Sequence, residues 1–367
     1  MRTRIKFLLK VIKRIPMRTS LRNLVSWEGA QENGSEPGYT ITIACMRSIT
    51  NVVIANVQLL SRIDAANCKE LVLVFDCEKE DLDPEVLEVL NGIDLPMDLV
   101  VQFYSSKQKR VAQAINWGWV FAWMSWSLAI GRCKTSHLIL HDLDALALDP
   151  DFFEVIYQRA LETGKDFHAI RTYSGSGVGK EHGLGTTFEL VLKPDAIRTK
   201  FKPLEAFNTL KIVDGKIIDF DTLLWIQFQL KNTSVEAVDE SQLVHPSQLI
   251  CHYTDFLAGR GSMTDKQHSL MLMPYFSYLG GSADDIERLT TEMKNSEGDT
   301  VRLWGSDLPI HHLKEEHWAW MEKQIRRVEQ TLFEGTRPII EAYLEHFITR
   351  AGDKRTVGVE EDGVKLG

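Results

Sequence analysis

Two periods of hydrophobic residues alternate along this chain, and together they set out a run of strands and helices. Tyr39 to Met46 (Y-T-I-T-I-A-C-M) alternates and is rich in β-branched residues, which predicts an opening strand. Asn51 to Ile63 has helical spacing, and the apolar run Leu71-Val72-Leu73-Val74-Phe75 reads as a second strand ending at Asp76. Strand, helix, strand is the order of a βαβ unit, so the sheet is expected to be parallel with a right-handed crossover. A helix over Leu82 to Leu90 and a third strand over Asp98 to Tyr104 follow. One long helix is expected from Lys109 to Ile130, with Trp119, Trp123 and Trp126 on one face as a packing stripe. Next, His137-Leu138-Ile139-Leu140 runs into His141-Asp142-Leu143-Asp144, and Pro150 stops the pairing. That is a buried strand ending in an acidic loop.

Beyond this strand the pattern predicts a helix over Phe152 to Glu162, a strand over Phe167 to Ile170 and another over Thr187 to Leu192. The glycine-rich stretch from Ser174 to Gly185 between them reads as a mobile substrate loop. It is not a phosphate-binding loop, because Ser174 and Glu181 stand where that motif needs Gly and Ser/Thr. Ile217 to Asp221 leads into a helix over Thr222 to Leu230, and a last strand over Gln248 to Tyr253 contains His252. Glu315 to Phe347 is amphipathic and helical, broken at Gly335 and Pro338. His312 to His317 fits neither order of a zinc-protease motif. The expected divisions are a basic helix and polar linker over 1–37, a sheet domain over 38–260, a helical extension over 261–350 and a disordered tail over 351–367.

The amino end changes the picture most. Residues 1–27 carry eight Lys/Arg and no acid, in a chain whose net charge is -9. Ile5, Leu8, Leu9, Ile12 and Ile15 follow the spacing of one helical face. A helix of that kind lies in the headgroup layer of an anionic membrane, which is the partner expected for residues 1–27. A helix packed on its own domain is the other reading. Charges interrupt any signal-peptide core, and no apolar run is long enough to span a bilayer. Hydrophobic residues make up 44% and charged residues 25%, as in ordinary globular proteins. The acidic balance argues against a nucleic-acid partner. Five scattered cysteines without a C-x-x-C pair read as reduced thiols, so the expected location is cytoplasmic, peripheral on the inner membrane face.

The chemistry gathers at the acidic strand end. In a parallel α/β sheet, ligands bind beyond the carboxyl ends of strands. Alternate side chains of an extended segment face the same way, so Asp142 and Asp144 are expected to face one ligand together. Neighbouring carboxylates repel unless a cation lies between them, and oxygen ligands suit a divalent metal ion.

These residues, in this order, resemble a GT-A fold nucleotide-sugar glycosyltransferase. The likeness rests on the opening strand, Asp76, Asn116-Trp117-Gly118, His141-Asp142-Leu143-Asp144, Gly185-Thr186-Thr187, Asp219-Phe220-Asp221-Thr222-Leu223-Leu224 and His252. It is similar in order and spacing to the inverting family that builds bacterial polysaccharides and lipid-linked sugars. The fold implied is α/β, a Rossmann-like mixed sheet flanked by helices with a C-terminal helical extension. The resemblance implies that Asp76 binds the nucleotide base and that Asn116 belongs to the donor site. Asp142 would lie towards the ribose and a metal-bound water, and Asp144 would ligate Mn²⁺ or Mg²⁺. His252 would be the third ligand, with His245 competing for that role. Asp221 would be the general base, with Asp219 as the alternative. Lys109 or Arg260 would pair with the diphosphate, and Gly185 and Thr186 would line the acceptor pocket. The partners implied are a nucleotide-diphosphate sugar donor and a glycan or lipid-linked acceptor. Two other readings are a non-catalytic member of the fold that binds a nucleotide sugar, and a metal phosphohydrolase built on His141-Asp142. A sugar-nucleotide pyrophosphorylase lacks its glycine-rich first loop after Ala44.

Overall fold

A computed structural model of the chain describes residues 2–29, 35–246, 248–260, 268–295, 300–310 and 313–347. The tail over 351–367, His312 and linker residues 31–34 lie outside the described residues. The elements are α1 (Arg2–Leu21), β1 (Glu36–Cys45), α2 (Thr50–Leu60), β2 (Cys68–Phe75), α3 (Pro84–Gly92), β3 (Asp98–Phe103), α4 (Ser106–Ile115) and α5 (Gly118–Arg132). They continue with β4 (Thr135–His141), β5 (Leu146–Ala147), α6 (Phe152–Thr163), β6 (Phe167–Ala169), β7 (Leu190–Leu192), α7 (Pro194–Arg198), β8 (Thr209–Val213), β9 (Lys216–Phe220), α8 (Leu224–Leu230) and β10 (Thr233–Val235). Last come β11 (Leu243–Val244), α9 (Leu249–Leu257), α10 (Met273–Leu279), α11 (Asp284–Asn295), β12 (Thr300–Leu303), β13 (Ser306–Pro309) and α12 (Glu315–Phe333), with a further helix over 338–347.

Seven strands form one sheet in the order β10-β6-β7-β4-β1-β2-β3. Every neighbouring pair is parallel except those made by β7, which runs against both β4 and β6. This is the Rossmann-like mixed sheet flanked by helices that the resemblance implied. β1 lies between β4 and β2, with Ile43 opposite His141 and Cys45 opposite Phe75. The carboxyl ends of β4 and β2 are therefore two strand spacings apart, about 10 Å. Apolar residues of β2 and β4 (Val72, Val74, Leu138, Leu140) are buried with Trp123, Met124 and Ile130 of α5. Each such side chain contributes about 1.5–3 kcal/mol on burial.

Two expectations change. The single helix over 109–130 is two helices, because Asn116 adopts a left-handed conformation (φ 47°) and Trp117 is extended. Asn tolerates that conformation through its short polar side chain, so it ends α4, and a new helix starts at Gly118. The strand over 248–253 is instead the helix α9, in which Leu249, Tyr253 and Phe256 are buried at helical spacing. Six residues were too few to tell the two periods apart.

The chain forms two compact units. One comprises Met1–Thr50, Leu60–Leu143 and Asp149–Asp239, and the other comprises Asn51–Leu59, Asp144–Leu148 and the chain from Glu240 onward. In the second unit β5 pairs antiparallel with β11. It also holds the β12–β13 hairpin, so the region expected as a helical extension is not all helix. None of the five cysteines is joined in a disulfide. No helix among the described residues is long and apolar enough to cross a membrane.

Candidate active site

The strand β4 ends at His141, and the chain turns at once through Leu143 and Asp144 before entering β5. Asp142 and Asp144 therefore converge through a turn, not through the alternation of an extended strand. The turn is fixed from outside: the buried Asn56 side chain donates to the Ala145 carbonyl at 2.8 Å. In the β5–β11 ladder Val244 lies opposite Leu146 and Leu243 opposite Ala147. One more step along that antiparallel register carries His245 to the level of Ala145, beside Asp144. The His245 Nε2 is 3.6 Å from Asp144 Oδ1, and the Ile250 N–H at the start of α9 lies 3.4 Å from Asp144 Oδ2. The first turn of a helix favours a carboxylate there.

One ligand atom each of Asp142, Asp144 and His245 lies within 4.8 Å of the others. Asp144 is only 5% exposed. Two carboxylates and an imidazole nitrogen so placed fit a divalent cation, which relieves the repulsion of the acids. His245 is the imidazole in this group. His252 lies within α9 and is outside it. The signal for His245 was present but short: an apolar pair, Leu243-Val244, followed by His and a pairing-stopping Pro246.

His141 has a separate role. Its ring is fully buried, with Nδ1 2.6 Å from Oε1 of the buried Glu189 just before β7. A ring turned into the core of a strand is unavailable as half of a phosphohydrolase His-Asp pair.

Asp76 follows β2 at the same sheet edge as Asp142. Its Oδ1 accepts the Arg47 N–H at 2.9 Å, and its own N–H donates to the Cys45 carbonyl. Burial raises its carboxyl above the ordinary value, and the Arg47 N–H and charge oppose that rise. Lys109 is held by Asp81 at 2.6 Å and Glu78 at 3.1 Å. Arg260 pairs with Asp255 at 3.2 Å on an exposed surface. Asn116 serves as the left-handed cap of α4. Each of these side chains thus has local work in the structure.

Asp219 and Asp221 differ sharply. Asp219, on β9, is gripped by both Arg14 guanidinium nitrogens at 2.7 Å. Asp221, just past β9, accepts from the Asn208 amide at 2.9 Å and the Thr222 N–H at 2.6 Å. Burial raises the Asp221 carboxyl, while those two donors and the Trp119 indole pull it back down. Trp119 is 43% exposed, so the stripe expected to pack keeps only Trp123 and Trp126 inside. A half-exposed indole on a carboxylate is an arrangement that helical spacing alone could not show.

The glycine-rich stretch is packed rather than loose. Gly175 and Val178 exchange backbone hydrogen bonds, the Asp219 N–H donates to Ser176, and Val178 and Leu184 pack on Ile218, Phe220 and Leu224. Gly185 exchanges two hydrogen bonds with the buried Gln227 side chain, and a Cβ there would collide with that of Ala169. Thr186 donates its N–H to the Arg171 carbonyl at 2.9 Å.

No family model and no curated protein matches the sequence. Among solved structures, the chain is similar to S. aureus TarS (11% identity, 87% of this chain and 91% of that one, TM-score 0.37). It is also similar to LgtC, a galactosyltransferase solved with donor and acceptor sugar analogues (6%, 53% and 72%, TM-score 0.38). A third is the 4-diphosphocytidyl-2C-methyl-D-erythritol synthase of Anaerococcus prevotii (12%, 61% and 99%, TM-score 0.34). These are partial likenesses of fold, and none of them assigns a role to a residue of this chain.

Proposed function

We propose that this chain is a metal-dependent glycosyltransferase of the GT-A type, moving a sugar from a nucleotide diphosphate to a glycan or lipid-linked acceptor. The observation that carries the reading is the convergence of Asp142, Asp144 and His245 beyond the carboxyl end of β4. With Asp76 about two strands away on the same edge, a nucleoside could lie between the base-binding acid and the metal group. Asp142, Asp144 and His245 would hold Mn²⁺ or Mg²⁺, and the imidazole favours Mn²⁺. When bound, the cation supplies charge stabilisation to the leaving diphosphate.

Asp221 is the base in this reading, and Asp219 is not. The Arg14 clamp occupies both oxygens of Asp219, whereas the Asn208 and Thr222 donors share one oxygen of Asp221, whose proton affinity is raised by burial. A carboxylate pushed upward is a better proton acceptor near neutral pH. Asp221 takes the acceptor hydroxyl proton while the hydroxyl oxygen bonds to the anomeric carbon and the diphosphate leaves, a single displacement with inversion. Trp119, half-exposed, meets that acid through its indole N–H, where an acceptor sugar can pack. The eight basic residues within 1–27 suit a reaction at an anionic membrane surface.

The test is a panel of nucleotide sugars with Mn²⁺, scored by thermal shift and by donor turnover. One donor that stabilises the protein and is consumed only with metal supports the reading. A donor that stabilises without turnover across a broad acceptor screen would make the chain a binding protein instead.

A further inference from the structure

The two faces of α1 are inverted relative to an ordinary surface helix. Arg14, Arg18 and Leu21 recur at helical spacing on the side turned to the rest of its unit. Arg14 clamps Asp219, Arg18 donates to the carbonyls of Asn208 at 2.7 Å and Leu204 at 3.0 Å, and Leu21 is fully buried. Leu8, Ile12 and Ile15, one turn apart on the other side, are 56%, 50% and 53% exposed. A helix that merely packs on its domain turns its aliphatic stripe inward and its arginines to water. Here the arginines are inside and the stripe is outside, which marks an interaction surface.

Charge selects the occupant. The first 27 residues hold eight basic side chains and no acid. A second copy would set the same basic helix against itself, whereas an anionic lipid surface complements both the charge and the stripe. We propose that α1 docks on anionic lipid through Leu8, Ile12 and Ile15, while Arg14 and Arg18 hold its other face to the segment that carries Asp221. Asn208 is the link, because its carbonyl accepts from Arg18 and its amide donates to Asp221. The helix thereby fixes the proton-accepting end of the site beside the membrane, and the acceptor class is a lipid-anchored one. That last step rests on the proposed role of Asp221; the docking does not.

The experiment is flotation of the full-length protein with phosphatidylcholine vesicles, with and without phosphatidylglycerol, for wild type and the triple variant Leu8→Asp/Ile12→Asp/Ile15→Asp. The wild type should float with anionic vesicles only, and less as salt rises. The triple variant should lose binding by roughly tenfold per residue replaced, with an unchanged melting temperature because the three side chains are exposed. Equal flotation of the variant would overturn the proposal. So would a wild type that never floats and forms a soluble dimer that the variant dissociates, since the stripe would then meet a second copy. No nucleotide enters the assay, so its failure leaves the transferase reading standing, and failure of that reading leaves the flotation result standing.

Discussion

Replacing Asp221 by Asn separates the chemistry of that position from its structural work. Asparagine has nearly the same shape, and its Oδ1 still accepts from the Asn208 amide and the Thr222 N–H. What it loses is the capacity to take a proton. General base catalysis contributes about 10²–10⁴ in rate, so kcat should fall by that factor, roughly 3–5 kcal/mol of barrier, with little change in donor KM. Stability should move the other way. Burial raises the Asp221 carboxyl in the folded state, so its contribution is fully present below the unfolded value of about 3.9 and is lost as pH rises through the folded value. Above that folded value the wild type carries an ionised, largely buried carboxylate at a cost, which Asn removes. Thermal melts should show the variant at least as stable as wild type above the folded value, with a smaller decline as pH rises. Asp219→Asn is the comparator. It breaks a partly exposed ion pair with Arg14, worth at most about 1 kcal/mol, and should keep most of the activity. The assignment is refuted if Asp219→Asn abolishes turnover while Asp221→Asn retains it.

Two further substitutions probe the neighbouring geometry. His245→Ala should weaken Mn²⁺ binding by roughly 10–100-fold and Mg²⁺ binding less, read by calorimetry of each metal alone, whereas His252→Ala should leave both unchanged. Gly185→Ala should destabilise by about 1–3 kcal/mol in denaturant unfolding, because its Cβ would press on that of Ala169.

The parallel core was legible because β2 and β4 carry unbroken apolar runs, as strands buried on both faces do, and β1 alternates β-branched residues. The acidic end of β4 was legible for the same reason: a Pro and two acids after such a run leave few alternatives. His245 was not, since a two-residue strand has no period, and only the β5–β11 register places it. The assignment of α9 as a strand, with His252 on it, failed on window length. The expected N-terminal helix is α1, with Leu8, Ile12 and Ile15 of its stripe exposed, but no sequence pattern says which face of α1 turns inward. That depended on Asp219 and the Asn208 carbonyl, nearly two hundred residues away, offering acceptors to Arg14 and Arg18. Similarly, Asp219 and Asp221 were equivalent until the Arg14 clamp distinguished them.

Asp142, Asp144 and His245 are proposed as a metal site for a nucleotide diphosphate. Titration calorimetry of UDP and GDP, with Mn²⁺ or with EDTA, on wild type and Asp144→Asn tests it most directly. Asparagine keeps an acceptor for the Ile250 N–H, so the fold has no reason to change. The account predicts nucleotide binding to the wild type only with metal, and a loss in the variant of at least the roughly 10–100-fold caused by removing a mere supporting partner. Metal-dependent binding of equal affinity in the variant would contradict it.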